Sequence, residues 1–135
     1  MIKDDCIFCK LANGIFDTNT VSEDENFRVI LDIAPAAKGH CLVLPKKHFE
    51  NALVADEDTL GKGMILAAKI GKKVKEAYGC DGINIVQNNG EAAGQTVFHL
   101  HIHVIPRYND DTVKFEYDSL ELKGEDFKEA LTKLK

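Results

Sequence analysis

The sequence predicts an α+β domain: an antiparallel sheet of five strands with one long helix, a helical turn at the N-terminus and a further helix at the C-terminus. Three observations predict it. Short runs rich in β-branched and apolar residues follow one another at hairpin-like intervals, which favours antiparallel pairing. Only residues 56–78 carry an extended stripe in steps of four and three, the period of a helix facing a core. Residues 98–106 alternate between histidine and aliphatic side chains, the period of a strand with two unlike faces.

Taken in order, residues 5–13 form a helical turn closed by Gly14. Strands follow at Val21–Glu23 and Phe27–Asp32, divided by the turn Asp24-Glu25-Asn26. A loop punctuated by Pro35 and Gly39 leads to His40–Pro45, so apolar that it belongs at the centre of the sheet. Lys46 to Phe49 is a turn. The helix over 56–78 has Asp56 or Asp58 as N-cap and Gly79 as its stop, and places Leu60, Met64, Ala67, Gly71, Val74 and Tyr78 on one side. Gly61, Gly63 and Gly71 weaken it by about 1 kcal/mol each relative to alanine, so packing must hold it, and glycines there allow a close approach. Ile83–Asn88 is the fourth strand, and the loop 89–96, with Gly90 and Gly94, can present backbone amides to an anion. Phe98–Pro106 is the fifth strand. After the polar link 108–111, Phe115–Tyr117 is a short strand or extended tail, and Glu125–Leu134 a helix with Phe127, Leu131 and Leu134 on one side.

The chain has 135 residues and 15.0 kDa, the length of one domain (1–135, core 6–107, extension 108–135). Such a domain buries roughly 68% of its extended-chain surface. A net charge of −5, with no basic run beyond Lys46-Lys47 and Lys72-Lys73, argues against long nucleic acid as a partner. Local charge at a cleft leaves a small anionic substrate open. The acidic start, Met1 to Asp5, precedes no apolar segment of signal-peptide length, and no stretch reaches transmembrane length. The reading is a cytoplasmic protein without a membrane partner. In that setting four cysteines are thiols or metal ligands rather than a disulfide framework.

The chemistry concentrates on histidine. His99, His101 and His103 occupy one face of the predicted fifth strand while Leu100, Ile102 and Val104 enter the core. Side chains two apart on a strand lie about 7 Å apart along it, close enough for three imidazoles to serve one ligand or two adjoining sites. A solvated face would use Lys, Glu or Thr, so the run points either to a metal site or to phosphoryl chemistry on a histidine nucleophile. Cys6 and Cys9, three apart on a helical turn, bring two sulfurs to one side. They are a pair of small buried residues, a redox dithiol, or half of a zinc site that His48 and His99 can complete.

The run His99-Leu100-His101-Ile102-His103-Val104-Ile105 resembles the signature of the histidine triad (HIT) superfamily of nucleotide hydrolases and transferases. Cys6-Ile7-Phe8-Cys9-Lys10, Leu31-Asp32, Gly39-His40, Pro45-Lys46-Lys47-His48, Asn88-Asn89-Gly90 and Gly94-Gln95-Thr96-Val97 resemble further landmarks of that family in family order, over roughly residues 6–107. The resemblance, closest to small bacterial members that keep zinc, implies a HIT-like fold and a nucleophile at His101 that attacks the α-phosphorus of a purine nucleotide. It implies that His103 and His40 contact phosphate oxygens and that Asn88, Gln95 and Thr96 position the phosphate and leaving group. Asp32 would bind the ribose, and Ile7, Phe8, Leu11, Ile30, Ile33 and Leu42 would form a slot for the base. Cys6, Cys9, His48 and His99 match the ligands of a structural Zn²⁺, no catalytic cofactor is implied, and the typical assembly is a homodimer joining two sheets. The leaving group is an amine, as in nucleoside phosphoramidases, or a nucleoside phosphate, as in dinucleoside polyphosphate hydrolases. Two other classes are a metal-dependent hydrolase using the three histidines as ligands, and a nucleotide-binding module without turnover.

Overall fold

Residues 2–135 are described by the computed structural model; Met1, at the head of the acidic N-terminus, lies outside the described residues. The strands β1 (Thr20–Glu23), β2 (Phe27–Leu31), β3 (Cys41–Pro45), β4 (Gly82–Val86) and β5 (Ile102–Arg107) form one antiparallel sheet in the order β1-β2-β3-β5-β4. With helices α1 (Ile7–Ala12), α2 (Glu57–Tyr78) and α3 (Gly124–Leu134), this is the α+β architecture the sequence predicts. Every residue of β3 is buried, as its unbroken apolar run requires of a strand covered on both faces. It pairs with β2 on one side and sets Cys41 opposite Val104, Leu42 opposite His103 and Val43 opposite Ile102 on the other.

Helix α2 covers one face. Asp56 caps it by accepting the Thr59 N–H at 2.7 Å, and Gly79 ends it in the left-handed region at φ 61°, its N–H reaching the Lys75 carbonyl at 2.9 Å. The face that packs shares Ala67, Gly71 and Val74 with the predicted stripe but is turned slightly from it. Gly63, Ala67, Ile70, Gly71 and Val74 are buried, whereas Met64 and Tyr78 are about half exposed. The cause is closeness: a Cβ at Gly63 would sit 3.3 Å from Ile102 Cδ1, and one at Gly71 3.4 Å from Ile83 Cγ2. Glycine rather than methionine meets the sheet, and Ala67, Ile70 and Val74 join Phe27, Val29, Val43 and Val104 in the main core. Burying one such aliphatic side chain stabilises the fold by about 1.5–3 kcal/mol, which offsets the weak propensity of the glycine-rich helix.

The opposite face is covered by α1, whose Ala12 is buried and whose Phe8 and Leu11 pack on Ile30, Leu42 and Leu44. Two predicted strands shift by more than one residue. The histidine strand starts at Ile102 rather than Phe98, because the ladder with β3 closes at Val43 and the chain before it turns away to hydrogen-bond elsewhere. Strand β4 ends at Val86, where Gln87 and Asn89 bond each other's carboxamides at 2.7 and 2.9 Å. Of the short strand or tail predicted at Phe115–Tyr117, no strand forms, and no residue of α3 is buried. The extension leaves the sheet at a clamp on Arg107, which donates to Asp111, Asn84 and the Val113 carbonyl and lies over the Phe115 ring.

Candidate active site and metal cluster

All five histidines gather between β3, α1 and the start of β5, in two groups. The first holds Cys6, Cys9, His48 and His99. Cys6 is the N-cap of α1, its Sγ accepting the Cys9 N–H at 3.3 Å. Asn13, at the other end of α1, ties the Cys9 carbonyl to the Lys46 carbonyl with its Nδ2 at 2.8 Å from each. The His99 Nδ1 lies 3.4 Å from each sulfur and 3.2 Å from His48 Nδ1, and Cys9 Sγ lies 3.3 Å from His48 Nδ1. Around an ion with bonds of 2.3 Å to sulfur and 2.0–2.1 Å to nitrogen, the edges of a tetrahedron are about 3.3–3.8 Å. These four donor pairs stand at nearly that spacing, and all four donors lie within 4.8 Å of one another.

Their chemistry agrees with their geometry. His99 Nε2 faces the Pro45 carbonyl at 2.8 Å and must donate to it, which leaves the Nδ1 lone pair for the cluster. Burial raises the Cys9 thiol and lowers His48 and His99, the latter to about 4. The imidazoles are thus neutral, as ligands must be, and a divalent cation is what would favour thiolates in such surroundings. The site fits a closed, tetrahedral S₂N₂ ion.

The second group is Asp32, His40, His101 and His103. His101 Nδ1 lies 2.7 Å from the His99 carbonyl, and a carbonyl only accepts, so the proton sits on Nδ1 and the Nε2 lone pair is free. At His40 the order is reversed: Nδ1 accepts the Ala36 N–H at 3.0 Å, so Nε2 carries the proton and donates to His103 Nδ1 at 2.9 Å. His103 is thereby left with its own proton on Nε2. Asp32 Oδ2 stands 3.4 Å from His40 Nε2 and 4.0 Å from His103 Nδ1. Asp32, His40 and His103 bring three ligand atoms together. The tautomer argues against an ion among them, because His40 Nε2 has a proton where a ligand needs a lone pair.

Burial lowers His40 and His101, and lowers His103 to about 4 with the aid of the neighbouring imidazoles, so all three are neutral near pH 7. For His103 the unfolded chain titrates near 6.5, so below that pH the unfolded state takes up a proton that the native state refuses until about 4. The stability contributed by neutral His103 is complete above pH 6.5 and is lost as pH falls towards 4. Urea midpoints measured from pH 7.5 to 4.5 should decline over that window, and His103→Asn should flatten the decline.

The predicted site residues divide. His99 and His101 are buried, not on an open strand face, since α1 lies over them. His99 leaves the triad for the cysteines, so the three histidines do not converge on one ion. His40 is buried and lies against both His103 and Asp32. Phe8, Leu11, Ile30 and Leu42 share one apolar cluster, whereas Ile7 and Ile33 are 51% and 94% exposed and stand outside it. Asn88 is half-buried and Thr96 exposed. The Gln95 carboxamide is buried and fully used: Nε2 donates to the Glu50 and Val97 carbonyls at 2.8 and 3.1 Å, and Oε1 accepts the Gly90 N–H at 2.8 Å. The Gly90, Ala93, Gly94 and Gln95 amides are engaged within the loop, so its capacity for an anion is smaller than the glycines suggest. Gln95→Leu should cost about 1–3 kcal/mol by stranding those backbone groups, visible as a lower urea midpoint.

Sequence reasoning missed the backbone partners: the carbonyls of His99, Pro45 and Phe49 and the Ala36 N–H. Composition and motif carry no sign of them, because any residue supplies those groups. The edge of Phe8 against the His101 ring, 4.9 Å between centroids at 85°, was also missed, for the sequence offers Phe8 as a wall of the base slot and not as a contact of the central imidazole.

The sheet thus carries one histidine cluster at β3 and β5 and a second cluster of cysteine and histidine beside it. A HIT domain profile matches residues 13–110, and the chain belongs to the HIT family. An uncharacterized HIT-like protein of Methanocaldococcus jannaschii is 46% identical over 132 residues, 96% of this chain and 98% of that protein. An adenosine 5'-monophosphoramidase of Schizosaccharomyces pombe is 38% identical over 78% of this chain and 77% of its own length. An adenylylsulfatase of Arabidopsis thaliana is 36% identical over 82% of this chain and 56% of its own. A crystal structure from Streptococcus mutans superposes with a TM-score of 0.93 at 36% identity, covering 98% of this chain and 84% of that one. A Zn-bound histidine triad family protein from Mycobacterium smegmatis superposes with a TM-score of 0.78 at 40% identity, covering 84% and 83%. Among the described residues no helix is long and apolar enough to cross a membrane.

Proposed function

We propose that this protein hydrolyses purine nucleotide derivatives at the α-phosphate, through a nucleotidyl group carried transiently on His101. The observation that carries the reading is the His101 Nδ1–H bond to the His99 carbonyl, which frees Nε2 as a neutral nucleophile at pH 7. Nε2 attacks phosphorus and the bond from phosphorus to the leaving nitrogen or oxygen breaks, the leaving group taking up a proton. Water then displaces His101, releasing the nucleoside monophosphate and restoring the imidazole. Negative charge that builds on the phosphoryl oxygens is met by His103 Nε2–H, in the orientation that His40 and Ala36 fix. His40 is thus a positioning residue. Asn88 and Thr96 serve the phosphate and leaving group, Gln95 holds the loop that carries Thr96, and Asp32 accepts the ribose hydroxyls. Phe8, Leu11, Ile30 and Leu42 floor the base slot, with the exposed Ile7 and Ile33 at its rim.

The S. pombe and A. thaliana relatives support this substrate class: a phosphoramidate and an adenylyl sulfate share an AMP moiety and differ in the leaving group. Zn²⁺ is the ion we assign to Cys6, Cys9, His48 and His99, on the fit of the donors and on the Zn-bound M. smegmatis neighbour. When bound it supplies a structural cross-link and leaves no coordination position for water. A second copy of the chain is the proposed partner, supported by the open edge of β4 and by an extension whose α3 has no buried residue. The four free thiols suit the reducing cytoplasm.

The test is incubation with adenosine 5'-phosphoramidate and with a diadenosine polyphosphate. Release of AMP from at least one, with an alkali-stable adenylyl adduct on His101 in rapidly quenched samples, is the expected result. AMP binding without turnover of either would leave a binding module instead.

A further inference from the structure

We propose that a metal held by Cys6, Cys9, His48 and His99 also fixes the tautomer and orientation of the His101 ring, so that it prepares the nucleophile as well as bracing the fold. The inference rests on His101 being that nucleophile. An imidazole free of constraint distributes its proton over both nitrogens, and only the form protonated at Nδ1 leaves Nε2 for attack.

Two contacts transmit the constraint, and both begin at the cluster. The first is a single peptide plane. The His99 carbonyl accepts the His101 Nδ1–H at 2.7 Å, and the Leu100 N–H at the other end of the same rigid unit donates to the Phe49 carbonyl at 2.7 Å. Phe49 follows His48, one ligand, and the carbonyl belongs to His99, another. The His99 ring is itself held on both sides, by Pro45 and by the sulfurs. Rotating the carbonyl away from His101 requires breaking the bond to Phe49.

The second contact is Phe8. It lies between Cys6 and Cys9 and sets its edge against the His101 ring at 4.9 Å and against the His99 ring at 6.3 Å. Helix α1 has six residues, far below the roughly 12–15 at which an isolated helix persists in water. Its cap is the Cys6 sulfur itself, so the position of Phe8 depends on what holds that sulfur. Each ligand therefore bears on one ring: Cys6 and Cys9 through Phe8, His48 through Phe49, His99 through its own carbonyl.

The experiment compares Zn²⁺-loaded protein with protein stripped by a chelator at a temperature where its backbone amide spectrum stays dispersed. Nitrogen-15 spectra of the imidazoles read the His101 tautomer directly. The loaded protein should show the Nδ1–H form alone. The stripped protein should show both forms, and the single-turnover rate of adenylyl transfer to His101 should fall about 10- to 100-fold, the scale of an ångström-level misplacement. AMP affinity should fall by a smaller factor than the rate, since Ile30 and Leu42 of the base slot stay on the sheet while Phe8 and Leu11 loosen with α1. Should stripping unfold the chain, His48→Gln, which keeps three donors and both apolar clusters, takes its place with the same expectations. A folded metal-free protein, or a folded His48→Gln protein of reduced metal content, that keeps a single tautomer and the loaded rate overturns the coupling. Absence of any adenylyl-His101 in the loaded parent is a different failure: it removes the nucleophile on which both readings stand.

Discussion

Replacing His101 by alanine is expected to lower turnover of the preferred adenylyl substrate by at least about 10⁴-fold, the scale of losing a covalent nucleophile whose partners stay in place. The loss should fall on kcat. Asp32, His103 and the apolar floor around Ile30 and Leu42 do not depend on the His101 ring, so AMP should bind with affinity changed only a few-fold. His101 is 8% exposed and packs between Phe8 and His103, so the truncation leaves a small cavity, and a cost of about 1–2 kcal/mol is anticipated from the contacts removed. His101→Asn separates the two effects: it retains much of the volume and a donor for the His99 carbonyl but cannot form the adduct, so it should be as inactive as alanine and more stable. Steady-state kinetics and mass analysis of quenched reactions measure both. A His101→Ala protein working at more than a tenth of the parental rate would exclude nucleophilic catalysis at this residue.

Much of this arrangement was legible in the sequence, and the misses share a physical origin. The alternation in 98–106 identified which aliphatic side chains enter the core, because Leu100, Ile102 and Val104 are all buried. It did not show that the chain departs from the sheet before Ile102. That departure is set by the reach of the His99 ring to Pro45 and of Leu100 to Phe49, contacts between segments some fifty residues apart. The long helix was legible from its cap, its stop and its period, while its packed face was misjudged by one residue because close approach selects glycine over bulk. Residue chemistry left the cysteine pair as a buried pair, a redox dithiol or half of a zinc site; the family resemblance chose the set with His48 and His99, and those donors do meet. What sequence could not give is the protonation order of the five rings. That order is written in backbone carbonyls and amides, and the proposed roles of His101, His103 and His40 rest on it.

Removing metal from the cluster is expected to lower the melting temperature by about 15 °C without unfolding the protein at room temperature. The donors come from three parts of the chain: the α1 turn, the segment after β3 and the segment before β5. An ion that binds only the native state stabilises it by about 4 kcal/mol when free metal stands a thousandfold above its dissociation constant. At roughly 4 °C per kcal/mol for a chain of this size, that gives the expected shift. Small zinc domains unfold without their ion because they have little else. Here α2 on the sheet, with Ile70, Val74, Val29 and Val104 buried together, contains none of the ligands and should survive. The first segment to loosen is α1, whose six residues rest on the cysteines and on Phe8 and Leu11. Thermal melts with and without a strong chelator, hydrogen exchange across residues 6–13 and elemental analysis, expected to give about one Zn²⁺ per chain, measure the effect. A Cys6→Ser, Cys9→Ser double variant should melt with the stripped protein and no longer respond to chelator. If it instead melts with the loaded parent, the two sulfurs carry no metal that matters to the fold.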